Sequence, residues 1–307
     1  MTLTAFVLIV ASAILHASWN LIAKKNKMTI TFYTILCFIA MSCWLHVQFW
    51  TPVPIFSLPW KFWMFTGLSV FSDAVLYCTG LVYAYKKMNM ASAYPLMRAL
   101  PLLFIAFLTT ALGWGAPITF IPAVGFFIVF CGSLMMPLDS FSSFKLSNYF
   151  TPAMFFIILA ACGTTGYTIF DSEALGVLKD YCISENLNIS KPLQSISYYS
   201  TRSICLTSTL IVIVFSIKSE RDTLKQYWRE RNWMPICAAV CASLTYVLVL
   251  MSMNYVTNVS YVQICRQLGL PIGMAAGILI LKERNALVKW VGVTLILSGF
   301  AISVLFR

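Results

Sequence analysis

Two arginines, Arg98 and Arg266, sit near the middle of long apolar segments, one in each half of the 307-residue chain, with Pro101 and Pro271 a few residues downstream. A guanidinium at the centre of a bilayer costs at least roughly 2.5–3.5 kcal/mol, so positive charge at that depth implies a function that requires it. Paired hydrogen bonds to a carboxylate or phosphate are the chemistry arginine supplies and lysine does not. Positions three and four apart share a helical face. By that rule the polar residues of the apolar segments form narrow stripes: His16, Trp19 and Asn20; Asp73 and Tyr77; Tyr94 and Arg98; Tyr167 and Asp171; Gln263, Arg266 and Gln267. Five such stripes on apolar helices predict one shared, water-accessible interior. In it Arg98 and Arg266 hold an anion, Asn20, Gln263 and Gln267 select the rest of the ligand, and Trp19, Tyr77, Tyr94 and Tyr167 touch it. Pro95, Pro101 and Pro271 loosen the backbone beside the arginines.

The titratable residues divide into roles. Asp73 is the candidate protonation switch, because desolvation raises a carboxylate pKa whereas a nearby arginine lowers it. Arg98 either serves the ligand or neutralises Asp73, since buried charges tend to pair. His16 reads as a hydrogen-bonding helix residue or a proton carrier. Asp171, with Glu173, falls near the end of its segment and is expected to reach water as an interfacial or gating group. Arg202, preceded by Ser195, Ser197, Tyr198, Tyr199, Ser200 and Thr201, lines a polar groove or marks a shallower helix boundary.

The elements that must position these groups are membrane helices. Hydrophobic residues make up 60% of the chain and charged residues 10%, with mean hydropathy +0.84, far from the balance of a soluble domain. The net charge of +11 resides mostly in short connections, where the positive-inside rule and anionic headgroups account for it and nucleic acid need not. Nine of the ten cysteines fall inside apolar segments, which argues against a disulfide framework. Cys237 and Cys241 have no neighbours at metal-ligand spacing. A window of about 19 residues predicts ten spans, at 2–23, 28–50, 61–84, 89–112, 117–136, 150–174, 193–217, 233–256, 258–281 and 286–306. The first is too long for a signal-peptide core and reads as a retained span. The stretches 177–192 and 218–232 are expected to be short amphipathic or irregular caps.

Gly125 and Gly132 in the fifth span and Gly292 and Gly299 in the tenth share a seven-residue spacing, which opens one helical face to close contact. Five spans per half force the second copy of a duplication to be inverted, with a site at the midplane between repeats. The expected repeats are 1–149 and 150–307. Connections after odd-numbered spans hold fourteen Lys or Arg against four on the opposite side, which predicts that both termini face outward.

His16-Ala17-Ser18-Trp19-Asn20 with Ala23-Lys24-Lys25, Tyr94-Pro95-Leu96-Met97-Arg98, Tyr167-Thr168-Ile169-Phe170-Asp171 and Leu281-Lys282-Glu283-Arg284 resemble the drug/metabolite transporter superfamily, EamA-type branch. The resemblance covers the whole chain. It implies an all-α integral membrane fold of two inverted five-helix repeats around a central cavity, and alternating-access transport of a small organic anion, amino acid or related metabolite across a bacterial inner membrane. Trp114 stands where the family usually closes its fourth helix with an acid, and Gln267 where similar sequences often carry one. The implied partners are a small anionic or zwitterionic substrate, the bilayer, and a proton or counter-substrate, in a monomer or dimer. No cofactor, metal or nucleic acid is expected. Exchange of phosphorylated metabolites is the near alternative. A membrane-embedded enzyme is another, although only His16 and His46 supply imidazole and no GxSxG, HExxH or phosphate-cradling loop occurs.

Overall fold

In the computed structural model the described residues are 3–24, 28–87, 90–136, 138, 140–143, 152–230, 234–281 and 286–306. They form helices α1 (Leu3–Lys24), α2 (Ile30–Trp44), α3 (Val47–Trp50), α4 (Trp60–Phe71), α5 (Cys78–Lys87), α6 (Met90–Leu112), α7 (Phe120–Met135), α8 (Pro152–Ser184), α9 (Lys191–Ser216), α10 (Lys218–Glu230), α11 (Met234–Met253), α12 (Ser260–Arg266), α13 (Gly269–Leu281) and α14 (Leu287–Leu305). No strand occurs among the described residues. Among the described residues six helical stretches are long and apolar enough to cross a membrane: Ile30–Trp50, Trp60–Lys87, Pro152–Ser184, Lys191–Ser216, Pro235–Met253 and Leu287–Leu305. Shorter apolar helices occupy Leu3–His16, Leu96–Leu112 and Phe120–Met135. Large apolar side chains such as Phe49, Phe56, Phe107 and Phe120 point outward, as lipid contact requires. The chain is an integral membrane protein.

Three departures from the expected segments matter for the site. The segment expected at 150–174 continues to Ser184 as one 33-residue helix, so Asp171 and Glu173 lie well inside it. The segment expected at 258–281 is two helices, with a break at Gln267 and Leu268. This places the end of α12, and Arg266, inside the protein, while Pro271 falls in the first turn of α13, where a missing N–H is tolerated. Between α4 and α5 the helix widens to a π-turn over Ser72–Tyr77, which carries Asp73. Such π-bulges gather at functional sites. By contrast α6 runs unbroken through Pro95 and Pro101.

The helices pack chiefly as α1 on α11, α4, α5 and α6 on α8, α2 on α9, and α7 on α14, with α6 also against α7 and, less extensively, against α12. Contact between α7 and α14 runs through the two glycine pairs. A Cβ on Gly132 would lie 2.7 Å from the carbonyl of Gly292, and one on Gly299 would lie 2.6 Å from that of Gly125. Because residue 125 meets 299 and 132 meets 292, these two helices are antiparallel. Gly163 performs the same service for α8, where a Cβ would meet the Ser72 carbonyl at 2.7 Å. That contact draws the π-turn against α8 and brings Asp73 towards Asp171.

The start of α2 is held from outside the core. Thr29 caps it by accepting from the Phe32 N–H, and the Thr31 N–H donates to Glu220 Oε2 at 2.9 Å. The Thr31 hydroxyl donates to the same carboxylate at 2.8 Å. A carboxylate at a helix N-terminus complements both the unsatisfied N–H groups and the helix dipole.

Candidate functional site

A cavity of about 110 Å³ lies among α1, α2, the π-turn, α8, α9, α11 and α12. That is room for several waters or a small metabolite, well below the volume of a drug-sized pocket. Each wall arises from a helical stripe. From α2 come Tyr33, Leu36, Cys37 and Ala40, at the i, i+3, i+4, i+7 spacing of one face. Asp73 and Tyr77 face it from the π-turn, His16 and Trp19 from α1, and Tyr167 from α8. Arg202 from α9, Tyr246 from α11 and Arg266 from α12 complete it.

Its charged groups form two unlike ends. At the first, Arg202 Nη2 donates to Asp73 Oδ2 at 2.8 Å and Nε donates to Asp171 Oδ1 at 2.9 Å. Asp73 Oδ1 also accepts from Tyr33 at 2.8 Å. Asp171 accepts from Tyr198 at 2.5 Å and, through short bonds, from Ser69 and Tyr246. The guanidinium lies over the rings of Tyr246 and Tyr167, with centroids at 5.0 and 5.7 Å, within cation–π range. One guanidinium therefore faces two carboxyl groups, the acid-rich composition that a protonation or an approaching cation would complete. This shell satisfies buried groups that would be costly to leave without partners.

At the second end Arg266 Nη1 donates to Gln263 Oε1 at 3.3 Å. No carboxylate pairs with Arg266 among the described residues, although its side chain is buried. Arg98 stands behind it. Its Nη2 donates to the Arg266 carbonyl through a short bond, and Gln267 Nε2 donates back to the Arg98 carbonyl at 2.7 Å. These two bonds tie α6 to the end of α12. The first also caps the Arg266 carbonyl at the end of α12.

The expected residues separate accordingly. His16, Trp19, Asp73, Tyr77, Tyr167 and Arg266 converge on the cavity. Trp19 Nε1 donates to His16 Nδ1 at 3.0 Å, so this nitrogen is the acceptor and the neutral imidazole carries its proton on Nε2. Arg98, Gln263 and Gln267 are buried beside the lining rather than in it. The side chains of Asn20 and Tyr94 lie outside the described residues, as does the Lys282-Glu283-Arg284 motif.

Two expectations are corrected. Asp171 is not an interfacial group: it is fully buried, because α8 extends well past it. Asp73 takes its guanidinium partner from Arg202, not from Arg98, because α9 packs beside the π-turn. Arg202 and Tyr199, open in the sequence between a polar groove and a helix boundary, line the cavity, as do Tyr33 and Tyr246, which carried no expectation. Tyr33 and Cys37 share a face of α2 as clearly as Asp73 and Tyr77 share theirs, and Arg202 lies well inside a 26-residue helix. Spacing and depth were therefore available signals for both.

No family model matches the chain, and no curated protein does. Among solved structures, one titled only as the crystal structure of a protein is similar over 100% of this chain and 98% of that one, at 13% identity and a TM-score of 0.69. At that identity the likeness establishes a shared fold over the full length and nothing of function.

Proposed function

We propose that this protein is a secondary transporter that moves a small organic anion, amino acid or related metabolite by alternating access between two inverted five-helix repeats. The observation that carries the reading is Arg266: a buried guanidinium on the wall of a small cavity whose side-chain partners among the described residues are the neutral amide of Gln263 and phenol of Tyr167, with no carboxylate. A ligand carboxylate offers the counter-charge that this end lacks. The acid-rich end around Asp73 and Arg202 suits a ligand ammonium or a coupling proton. A zwitterion of amino-acid size matches both ends, and the cavity of about 110 Å³ favours such a ligand over a larger phosphorylated one.

The helix pairing supports the inverted-repeat part of the reading. In terms of the ten expected spans, the first packs on the eighth and the third on the sixth, while the second, fourth and fifth pack on the seventh, ninth and tenth. Each contact is the two-fold image of another or of itself, and the antiparallel meeting of α7 with α14 is the sense that inversion produces. The cavity draws walls from both halves, so a rocking of one half against the other would open it to alternate sides. The count of basic residues supports a membrane orientation with both termini outward.

Purified protein screened against amino acids, monocarboxylates and phosphorylated metabolites tests the reading, since a specific ligand raises the melting temperature by mass action. The expected result is stabilisation by an amino acid or carboxylate that is also accumulated by proteoliposomes containing the protein. Stabilisation without accumulation would point to a receptor, and chemical alteration of the ligand to an enzyme. Asp73→Asn transport that still follows a pH gradient would remove Asp73 as the coupling group.

A further inference from the structure

Helix α2 has a second face. Tyr33, Leu36 and Cys37 look into the cavity, whereas Thr34, Ile35 and Phe38 line a separate groove of about 800 Å³. The groove is bounded by the ends of α9 and α11, through Val214, Phe215 and Ile236, and by Leu224, Tyr227 and Trp228 of α10. Helix α10 joins two helices long and apolar enough to span the bilayer, yet is itself strongly polar, so it lies at a membrane surface. Trp228 is 85% exposed, where an interfacial indole belongs.

The charges of α10 are sorted by face. At 3.6 residues per turn, Leu224, Tyr227 and Trp228 mark the groove side, and Lys218, Arg221, Lys225 and Arg229 fall in one strip beside it. Glu220 turns inward to Thr31, and Glu230 bonds Gln226. Asp222 borders the strip and pairs with Lys225 at 3.5 Å, an exposed contact of little strength. Arg221 donates to the Phe215 carbonyl and so fastens the strip to the end of α9. The site thus combines an apolar trough, a cationic rim and an aromatic marker at headgroup depth.

We propose that the groove holds an acyl chain of an anionic phospholipid whose phosphate rests on the Lys218, Lys225 and Arg229 strip, and that this lipid braces α2, the wall shared with the cavity. A neutral lipid would fill the trough without using the rim, and a free anion would use the rim without the trough. Only an anionic lipid matches both. The proposal requires the membrane location of the chain and is independent of what the cavity carries.

Native mass spectrometry of the full-length protein with phosphatidylglycerol or phosphatidylcholine of identical chains tests it. Phosphatidylglycerol should be retained preferentially at one copy per protein. The triple variant Lys218→Gln/Lys225→Gln/Arg229→Gln, which spares Arg221, should lose about fivefold in that retention per cation removed, with phosphatidylcholine unchanged. Ile211 lines the trough from α9, and Ile211→Trp should expel both lipids by filling it. In lipid discs, phosphatidylglycerol should slow amide exchange across α2. Equal retention of the two lipids would overturn the proposal, as would a preference that survives the triple variant. Displacement by glycerol phosphate as effective as by the whole lipid would also overturn it, and so would a dimer formed through the groove.

Discussion

Arg202 and Arg266 are both buried, both line the same cavity and both belong to the second half of the chain, yet their surroundings differ in kind. Arg202 has two carboxylates, a serine hydroxyl and two aromatic faces. The Arg266 side chain has the amide oxygen of Gln263 at 3.3 Å and the phenol of Tyr167, and no carboxylate among the described residues. Burial of a guanidinium therefore does not identify a ligand site; the degree to which its own fold already satisfies it does. Arg202 organises the cavity by bridging the first half through Asp73 and the second through Asp171. On the proposed reading Arg266 is the charge left for a ligand to meet.

The largest expected effect lies on the saturated side. Arg202→Gln leaves two carboxylates in a buried site without their cation, and breaking such a pair typically costs about 3–5 kcal/mol. The variant should show a deep fall in melting temperature or fail to accumulate as folded protein. Adding Asp73→Asn and Asp171→Asn should recover much of the loss, since the three groups are then neutral together. A triple variant no more stable than the single one would mean that the cluster acts through packing instead.

Next in size is Gly163→Ala. In an open helix this change would be favourable by roughly 1 kcal/mol, but the added methyl would lie 2.7 Å from the Ser72 carbonyl. Overpacking of this kind costs about 1–3 kcal/mol. Prising the π-turn away from α8 should loosen the Asp73–Arg202–Asp171 bridge and leave the Arg266 end unaltered. A thermal unfolding curve together with the retained ligand shift would separate the two ends.

The contrast between the two arginines was only half legible in the sequence. Depth and spacing identified Arg98, Arg266, Asp73 and Tyr77 as interior groups, because apolar context and helical period are local properties. Which arginine meets which acid depends on α9 lying beside the π-turn, a tertiary fact that no spacing encodes. Asp171 was misplaced for a related reason. Apolar character fades after residue 174, but helix does not, since α8 continues with Asp180 and Lys179 on a surface that hydropathy reads as a connection. The break after Arg266 lay inside one long apolar window, so Pro271 signalled a loosened backbone without showing that the helix ends there. The glycine pairs, in contrast, were read as close-contact faces and meet each other in the fold, because a seven-residue spacing constrains packing directly.

On the unsaturated side, Arg266→Gln should change stability by about 1 kcal/mol or less, the order of one hydrogen bond. Its effect on ligand should be far larger. Truncating one partner of a buried, hydrogen-bonded charge pair costs about 2–5 kcal/mol, so the thermal shift produced by a carboxylate ligand should disappear within the accessible concentration range. A preserved ligand shift would place the anion elsewhere in the cavity and would erase the distinction drawn between the two arginines.

The smallest perturbation of the fold gives the sharpest comparison. Gln263→Glu keeps the size of the side chain that accepts from Arg266 and converts its amide into a carboxylate. Arg266 would then have internally what Arg202 already has. Stability should barely move, because the Coulombic gain of a buried pair is largely offset by its desolvation. Anion binding should nevertheless fall by more than tenfold, since the guanidinium is neutralised before the ligand arrives and the new carboxylate repels it. Isothermal titration of the Gln263→Glu and Gln263→Leu variants side by side separates charge from contact. Leucine removes the 3.3 Å hydrogen bond and leaves the positive charge available, so it should bind the anion much better than the glutamate variant. Equal losses in the two would show that Gln263 acts by holding the guanidinium in place, and that partner charge does not distinguish one end of the cavity from the other.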